Sequence, residues 1–110
     1  MASPAVAASP IGGTWLTEDG KTIVRVAPCK PGASTMCAVV KKRLADAKEG
    51  DAGTRLMWDL TDSGASWKGS GFHPGHGVNF KAEVTRSGNR LKIKGCKAFV
   101  CQSQFWTPTN

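Results

Sequence analysis

Apolar and polar side chains alternate along much of this chain, and the alternation is clearest in its second half. Two runs, at 79–86 and 90–95, place apolar residues at every second position: Phe80, Ala82, Val84, Leu91 and Ile93. A period of two predicts β-strands with one face on a core and one face in solvent. No long stretch has helical periodicity, so the pattern favours an all-β protein.

The pattern predicts about eight short strands. They are expected at 13–17, 22–26, 37–43, 55–61, 66–72, 79–86, 90–95 and 103–107. Turn signals such as Asp19-Gly20, Asp62-Ser63-Gly64 and Ser87-Gly88-Asn89 separate them. The polar segment Leu44–Gly53 is interpreted as one short helical turn or a mobile connection. This series predicts a small antiparallel up-and-down barrel, because closure removes exposed strand edges. A barrel of about eight strands holds side chains or one small ligand.

The length of 110 residues suits a single domain, which we place at residues 13–108. Residues 1–12 are interpreted as a flexible leader. They begin with MASPAVAASP, which lacks the basic start and the long apolar run of a signal peptide. The stretch is instead typical of what remains once a signal peptide has been removed, so the protein is expected to be exported.

Four cysteines form two close pairs, Cys29 with Cys37 and Cys96 with Cys101. Four cysteines allow three connectivities, and the sequence alone does not choose among them. Pairing within each cluster is the simplest choice, and each bridge would then add about 2–3 kcal/mol of stability. Zinc is the alternative, although neither spacing is the tight one of common zinc sites. We prefer disulfides, since small exported domains commonly contain them.

Several segments together resemble a bacterial family known only as domain of unknown function 2147. The segments are Gly13-Thr14-Trp15, Thr17–Gly20, Val24–Cys29, Cys37 with the β-branched run after it, Trp67-Lys68-Gly69, Leu91–Cys96 and Gln104–Thr107. The resemblance implies a lipocalin-like small barrel, exported by bacteria behind a signal peptide and therefore periplasmic or secreted. It also supports local pairing of the cysteines, and it makes Trp15 the candidate for closing the base of the barrel. The family supplies no established activity.

The chain departs from the family pattern at one turn. Phe72-His73-Pro74 stands where the family tends to have Tyr-Asp-Pro, and Gly75-His76-Gly77 replaces an acidic turn. No role tied to that acidic turn is therefore carried over. Two imidazoles, those of His73 and His76, are weak candidates for a metal site, and a surface turn is the competing interpretation. We expect neither a bound metal nor a cofactor.

Large aromatic side chains are the candidate ligand-binding residues. They are Trp15, Trp58, Trp67, Phe80 and Trp106. In a small barrel such residues either fill the core or line a pocket for an apolar ligand.

The net charge of +7 indicates an affinity for polyanions or merely a solvated basic surface. The strands at 79–86 and 90–95 are predicted to form a hairpin. Its outward positions supply the candidate anionic-surface residues, which are Lys81, Arg90, Lys92 and Lys94. Lys41-Lys42-Arg43 form a second basic run. The alternation turns the aromatic residues inward, which disfavours nucleic acid because no stacking platform accompanies the charges. An anionic envelope surface is the preferred polyanion.

The sequence thus predicts a monomeric binding module for a small apolar or amphipathic ligand of the cell envelope. One alternative is an interaction or inhibitor module that contacts an envelope protein through the loops Lys30–Met36 and Ala45–Gly53. The other alternative is an enzyme, which we do not expect, because no catalytic constellation stands out.

Overall fold

The computed structural model describes residues 10–44 and 50–109. They form a closed barrel of eight antiparallel strands that follow one another around it in chain order. The strands are β1 Gly13–Leu16, β2 Thr22–Pro28, β3 Met36–Arg43, β4 Arg55–Asp62, β5 Trp67–His73, β6 Val78–Ser87, β7 Arg90–Lys97 and β8 Val100–Pro108. The predicted all-β up-and-down barrel is therefore confirmed. None of the described residues lies in a helix long and apolar enough to cross a lipid bilayer.

Seven strands lie close to their predicted positions, and β8 does not. It begins at Val100, earlier than the predicted start at Ser103. The turn before it consists of Ala98 and Phe99, and Ala98 has a φ of 54°. That left-handed conformation is usually taken by glycine or asparagine. Because neither residue is present, the sequence contains no turn signal at this point.

Both cysteine pairs form disulfides locally, Cys29 with Cys37 and Cys96 with Cys101, which confirms the simplest of the three connectivities. The first bridge closes the loop between β2 and β3. The second was expected to precede the final strand, and that placement is wrong. Cys101 lies within β8, directly opposite Cys96 in β7, so this disulfide joins two paired strands.

The up-and-down order gives the barrel two distinct ends. The connections β1–β2, β3–β4, β5–β6 and β7–β8 meet at one end, which we call the mouth. The connections β2–β3, β4–β5 and β6–β7 meet at the other end, the base. Residues 45–49 of the β3–β4 connection lie outside the described residues, as do residues 1–9 of the predicted leader.

The base is closed by residues that precede and begin β1. Ile11 and Trp15 are both buried, and Trp15 Nε1 donates a hydrogen bond to the Ile11 carbonyl at 2.9 Å. The Arg86 guanidinium lies 5.4 Å from the Trp15 ring and donates to the Pro10 carbonyl at 2.9 Å. Ile11 belongs to the predicted leader, so the packed part of the chain begins before Gly13.

The hydrophobic core extends from the base and on β4 reaches Leu56, the second residue after the mouth-side β3–β4 connection. Its buried members are Ile11, Trp15, Val24, Val26, Ala38, Val40, Leu56, Met57, Leu60, Ala82, Val84, Leu91, Ile93 and Trp106. Every inward residue predicted from the alternation of β6 and β7 lies in this core or packs against it. The inward positions nearer the mouth on β5 and β7 carry glycine instead, at Gly71 and Gly95. Small residues there make room for the ring of Phe80 from the strand between them.

Candidate functional site

A cavity of about 480 Å³ lies at the mouth of the barrel, on the side formed by β5 to β8. Its apolar wall comes from the inward residues of β6, β7 and β8: Val78, Phe80, Ile93, Gly95 and Val100. Its polar wall comes from the β5–β6 turn and from β7 and β8: His73, His76, Lys97, Gln102, Ser103 and Gln104. The volume falls within the range typical of small-molecule sites.

Phe80 lies between this cavity and the hydrophobic core. It lines the space above and packs against the hydrophobic core below. The ring fits because its neighbours on both flanking strands are glycines. A Cβ built on Gly95 would lie 2.8 Å from Phe80 Cδ2, and one built on Gly71 would overlap the far edge of the ring. The pair of glycines therefore lets one aromatic ring lie across this part of the barrel, between the core and the cavity.

Two amides of β8 face the cavity at positions where alternation normally places apolar side chains. Inward positions of this strand are Val100, Gln102, Gln104 and Trp106, which are opposite inward residues of β7. Gln104 Oε1 accepts a hydrogen bond from Trp106 Nε1 at 2.8 Å, which holds Gln104 at the boundary between core and cavity. Gln102 lies nearer the mouth and is exposed.

Lys97, at the end of β7, is the one cavity-lining residue of fixed charge. Among the described residues that line the cavity, none is acidic. An apolar wall with a cation and one amide, Gln102, near its opening suits a molecule with an apolar body and an anionic or hydrogen-bond-accepting head.

The barrel is incompletely sealed beside this cavity. β1 pairs with β8 through only two register positions, Trp15 with Pro108 and Leu16 with Thr107. Nearer the mouth, the Phe105 N–H donates to the Glu18 carboxylate of the β1–β2 turn at 3.0 Å. Within the described part of the chain, no strand pairs with that edge of β8 from Val100 to Gln104. The cavity therefore has an opening along the seam as well as at the mouth.

The five aromatic residues expected to bind a ligand lie in three different places. Only Phe80 lines the mouth cavity. Trp15 and Trp106 are buried at the base, and Trp67 packs against the core. Trp58 lines a second, more open pocket of about 500 Å³ on the outer side of β4 to β6, and the Arg55 guanidinium lies 4.9 Å from its ring. The aromatic set therefore does not form one pocket.

His73 and His76 lie at the mouth, with ring centroids 4.4 Å apart. Their backbones form the predicted turn, in which the N–H groups of His76 and Gly77 donate to the His73 carbonyl. The described residues contain no group of three or more His, Cys, Asp or Glu side chains placed to hold a metal ion. The two imidazoles thus stand as a pair at the rim of the cavity.

The four cations predicted to form an anionic-surface site lie on the outer wall of the barrel. The register places Lys81 beside Cys96, near the mouth, and Arg90 beside Ser87, at the base. Lys92 and Lys94 lie between these two levels. The set is therefore a line along the barrel and not a compact patch.

Sequence reasoning missed most of the cavity lining. Val78, Ile93, Gly95, Lys97, Val100, Gln102 and Gln104 were not proposed as ligand-binding residues. One signal for them is present in the sequence, because the alternation of β8 turns two glutamines inward. That signal can be used only if the start of β8 is known. The turn before β8, Ala98-Phe99, contains none of the residues that predict a turn.

These features define the class of protein as a small antiparallel barrel, packed at its base and hollow at its mouth. A family model described as "uncharacterized protein conserved in bacteria" (DUF2147) matches residues 13–108. The chain belongs to this bacterial family. Searches of the curated proteins and of the solved structures found no match. The two disulfides and the bacterial family fit a location outside the cytoplasm.

Proposed function

We propose that this protein is a non-enzymatic binding module that holds a small amphipathic anion in the mouth cavity. The observation that carries the proposal is the composition of the cavity wall. Val78, Phe80 and Ile93 provide apolar surface below, and Lys97 provides a positive charge at the opening. Removing the apolar part of the ligand from water is favourable. The Lys97 ammonium group attracts a carboxylate or a similar anionic head.

The depth of the cavity limits the size of the ligand. Its lining along β7 runs from Ile93 to Lys97, a distance of about 13 Å at the usual rise of a strand. Ile93 belongs to the buried core as well as to the cavity wall, so the cavity ends there against the packed core. A short or medium straight-chain carboxylate, or an aromatic acid of one ring, is the chemical class that fits.

The proposed setting is the bacterial envelope, with the protein periplasmic or secreted. Disulfides persist in oxidising compartments, and the chain contains two of them and no free cysteine among the described residues. Amphipathic anions are common wherever lipids are made, trimmed or degraded, so a carrier or scavenger of such molecules suits that setting.

Isothermal titration calorimetry with straight-chain carboxylates of increasing length tests the proposal. Heat is the better signal, since none of the four tryptophans lines the mouth cavity and their fluorescence would report poorly on it. We expect saturable binding of carboxylates and weaker binding of the alcohols of equal length. Lys97→Met should lower the affinity for the carboxylates about tenfold, because a charge-assisted hydrogen bond is lost.

Lys92→Met is the matched control. Lys92 lies on the same strand, is exposed on the outer wall and does not line the cavity, so its removal should leave the affinity unchanged. Val78→Trp, which fills the cavity from β6, should abolish binding. Failure of every carboxylate to bind, or an equal loss for Lys92→Met and Lys97→Met, would contradict the proposal.

A further inference from the structure

The tip of the β7–β8 hairpin exposes two apolar side chains in a row. Phe99 is 102% exposed and Val100 is 66% exposed. Among the described residues, the only other exposed large hydrophobic side chain is Leu44, which follows β3. The topology places the β3–β4 and β7–β8 connections at the mouth. All three exposed apolar residues therefore lie at the end of the barrel where the cavity opens.

The hairpin holds this apolar tip in a fixed position. Lys97 pairs with Val100 on either side of the two-residue turn, and the Cys96–Cys101 disulfide braces the next pair of residues. A tip held in this way loses little conformational freedom when it is buried against a partner. Exposure here is therefore a feature of an ordered element and not of a frayed end.

The strands that carry the tip, together with the neighbouring β6, are basic. Residues 78–108 contain the cations Lys81, Arg86, Arg90, Lys92, Lys94 and Lys97, against one acid, Glu83. Glu83 is engaged elsewhere, since its carboxylate accepts from Ser66 Oγ at 3.0 Å and lies 3.8 Å from Lys68 Nζ. Lys97 adjoins the tip in sequence, and Lys81 lies level with Cys96 on the neighbouring strand. The apolar tip is thus accompanied by at least two nearby ammonium groups.

We infer that the β7–β8 tip docks onto an anionic lipid surface. Phe99 and Val100 enter the boundary between head groups and acyl chains, while Lys97 and Lys81 lie among the lipid phosphates. Peripheral proteins bind membranes through this combination of aromatic or aliphatic side chains with nearby cations. A protein partner fits less well, because two protruding side chains supply far less than the roughly 800 Å² that each partner usually buries.

This orientation divides the basic residues into those that contact the surface and those that do not. Lys92 precedes Lys97 by five positions on β7, or about 17 Å toward the base, and Arg90 lies still farther away. The range of a charge in physiological salt is only about 8 Å. Lys81 should therefore contribute to docking, whereas Lys92 and Arg90 should not. Docking also brings the cavity mouth to the lipid surface, and it shares Lys97 and Val100 with the cavity wall, whereas Phe99 and Lys81 belong to docking alone.

Cosedimentation with large unilamellar vesicles tests the inference. Vesicles of phosphatidylcholine alone are compared with vesicles that also contain phosphatidylglycerol. We expect binding to the second kind only, and weaker binding as salt is raised. Phe99→Ser and Lys81→Glu should each weaken binding about fivefold or more, and the matched reversal Lys92→Glu should leave it unchanged.

The variants keep this test separate from that of the cavity. Neither Phe99 nor Lys81 lines the mouth cavity, so both variants should bind soluble carboxylates as the parent protein does. Phe99 is fully exposed, and its replacement should leave thermal stability unchanged. Equal losses for Lys81→Glu and Lys92→Glu would overturn docking through the tip in favour of diffuse attraction. Absence of vesicle binding, or self-association that Phe99→Ser abolishes, would overturn docking on lipid.

Discussion

At the scale of single residues, Phe80 and its two glycine neighbours shape part of the boundary between the core and the cavity. The ring lies across the barrel because Gly71 and Gly95 have no Cβ to occupy its place. The sequence predicted that Phe80 faces inward, since it alternates with Lys81 and Asn79. It did not predict that the glycines on two other strands would face the same ring, because their meeting depends on the register between strands.

Adding one methyl group at Gly71 should destabilise the protein through Phe80. Gly71→Ala is expected to lower the free energy of unfolding by about 1–3 kcal/mol, because the new Cβ meets the Phe80 ring. Gly95 flanks the same ring on its other side. The cost should fall by more than half in a Phe80→Leu background, where the smaller side chain frees the space. Urea unfolding of the four proteins in this cycle measures the coupling.

Ser70→Ala is the control for that cycle, because Ser70 is adjacent to Gly71 but exposed on the outer face. It should change the free energy of unfolding little in either background. An equal cost of Gly71→Ala in both backgrounds would show that the ring is not what the methyl group meets.

The tryptophans show the limit of prediction at this scale. Their size alone indicated burial or ligand binding, and size does not tell which end of a strand a residue occupies. Trp15 and Trp106 pack at the base, whereas the cavity at the mouth is lined mainly by residues of medium size. A pocket forms where large side chains are missing, and a search for large side chains does not find it.

At the scale of elements, alternation predicted the strands well because each has one face in the core. The strand ends depend on turn chemistry. The prediction of strand ends from turn residues was accurate where the turn contains glycine, as at Asp19-Gly20. It failed at Ala98-Phe99, where a non-glycine residue has a positive φ. The start of β8, and with it the inward direction of Gln102 and Gln104, followed only from the structure.

The two disulfides should contribute unequally to stability. The Cys29–Cys37 bridge closes the longer loop and includes Cys37, which is buried, whereas Cys101 is exposed. Replacing Cys29 and Cys37 by serine should lower the free energy of unfolding by about 3 kcal/mol or more. Replacing Cys96 and Cys101 should lower it by about 2 kcal/mol. Guanidinium unfolding of the two double variants compares them directly. An equal or reversed order would mean that loop length and burial do not control these contributions.

At the scale of the whole molecule, the barrel has one packed end and one hollow end. The base contains Trp15 and Trp106 and is closed by Ile11 and Arg86. The mouth contains the cavity, the exposed tip at Phe99 and an upper edge of β8 that pairs with none of the described strands on that side. The packed base and the open mouth are consistent with the proposed carrier, whose ligand would enter from one end.

Chemical-shift mapping is the measurement that tests this division most directly. A ¹⁵N-labelled sample is titrated with a straight-chain carboxylate while backbone amide and indole signals are followed. The largest shifts should come from the cavity wall, at Val78, Ile93, Gly95 and Gln102, and the indole signal of Trp15 at the base should remain in place. Largest shifts at the Trp15 indole or around Trp58 on the outer surface, or no shifts at saturating carboxylate, would contradict a binding site at the mouth.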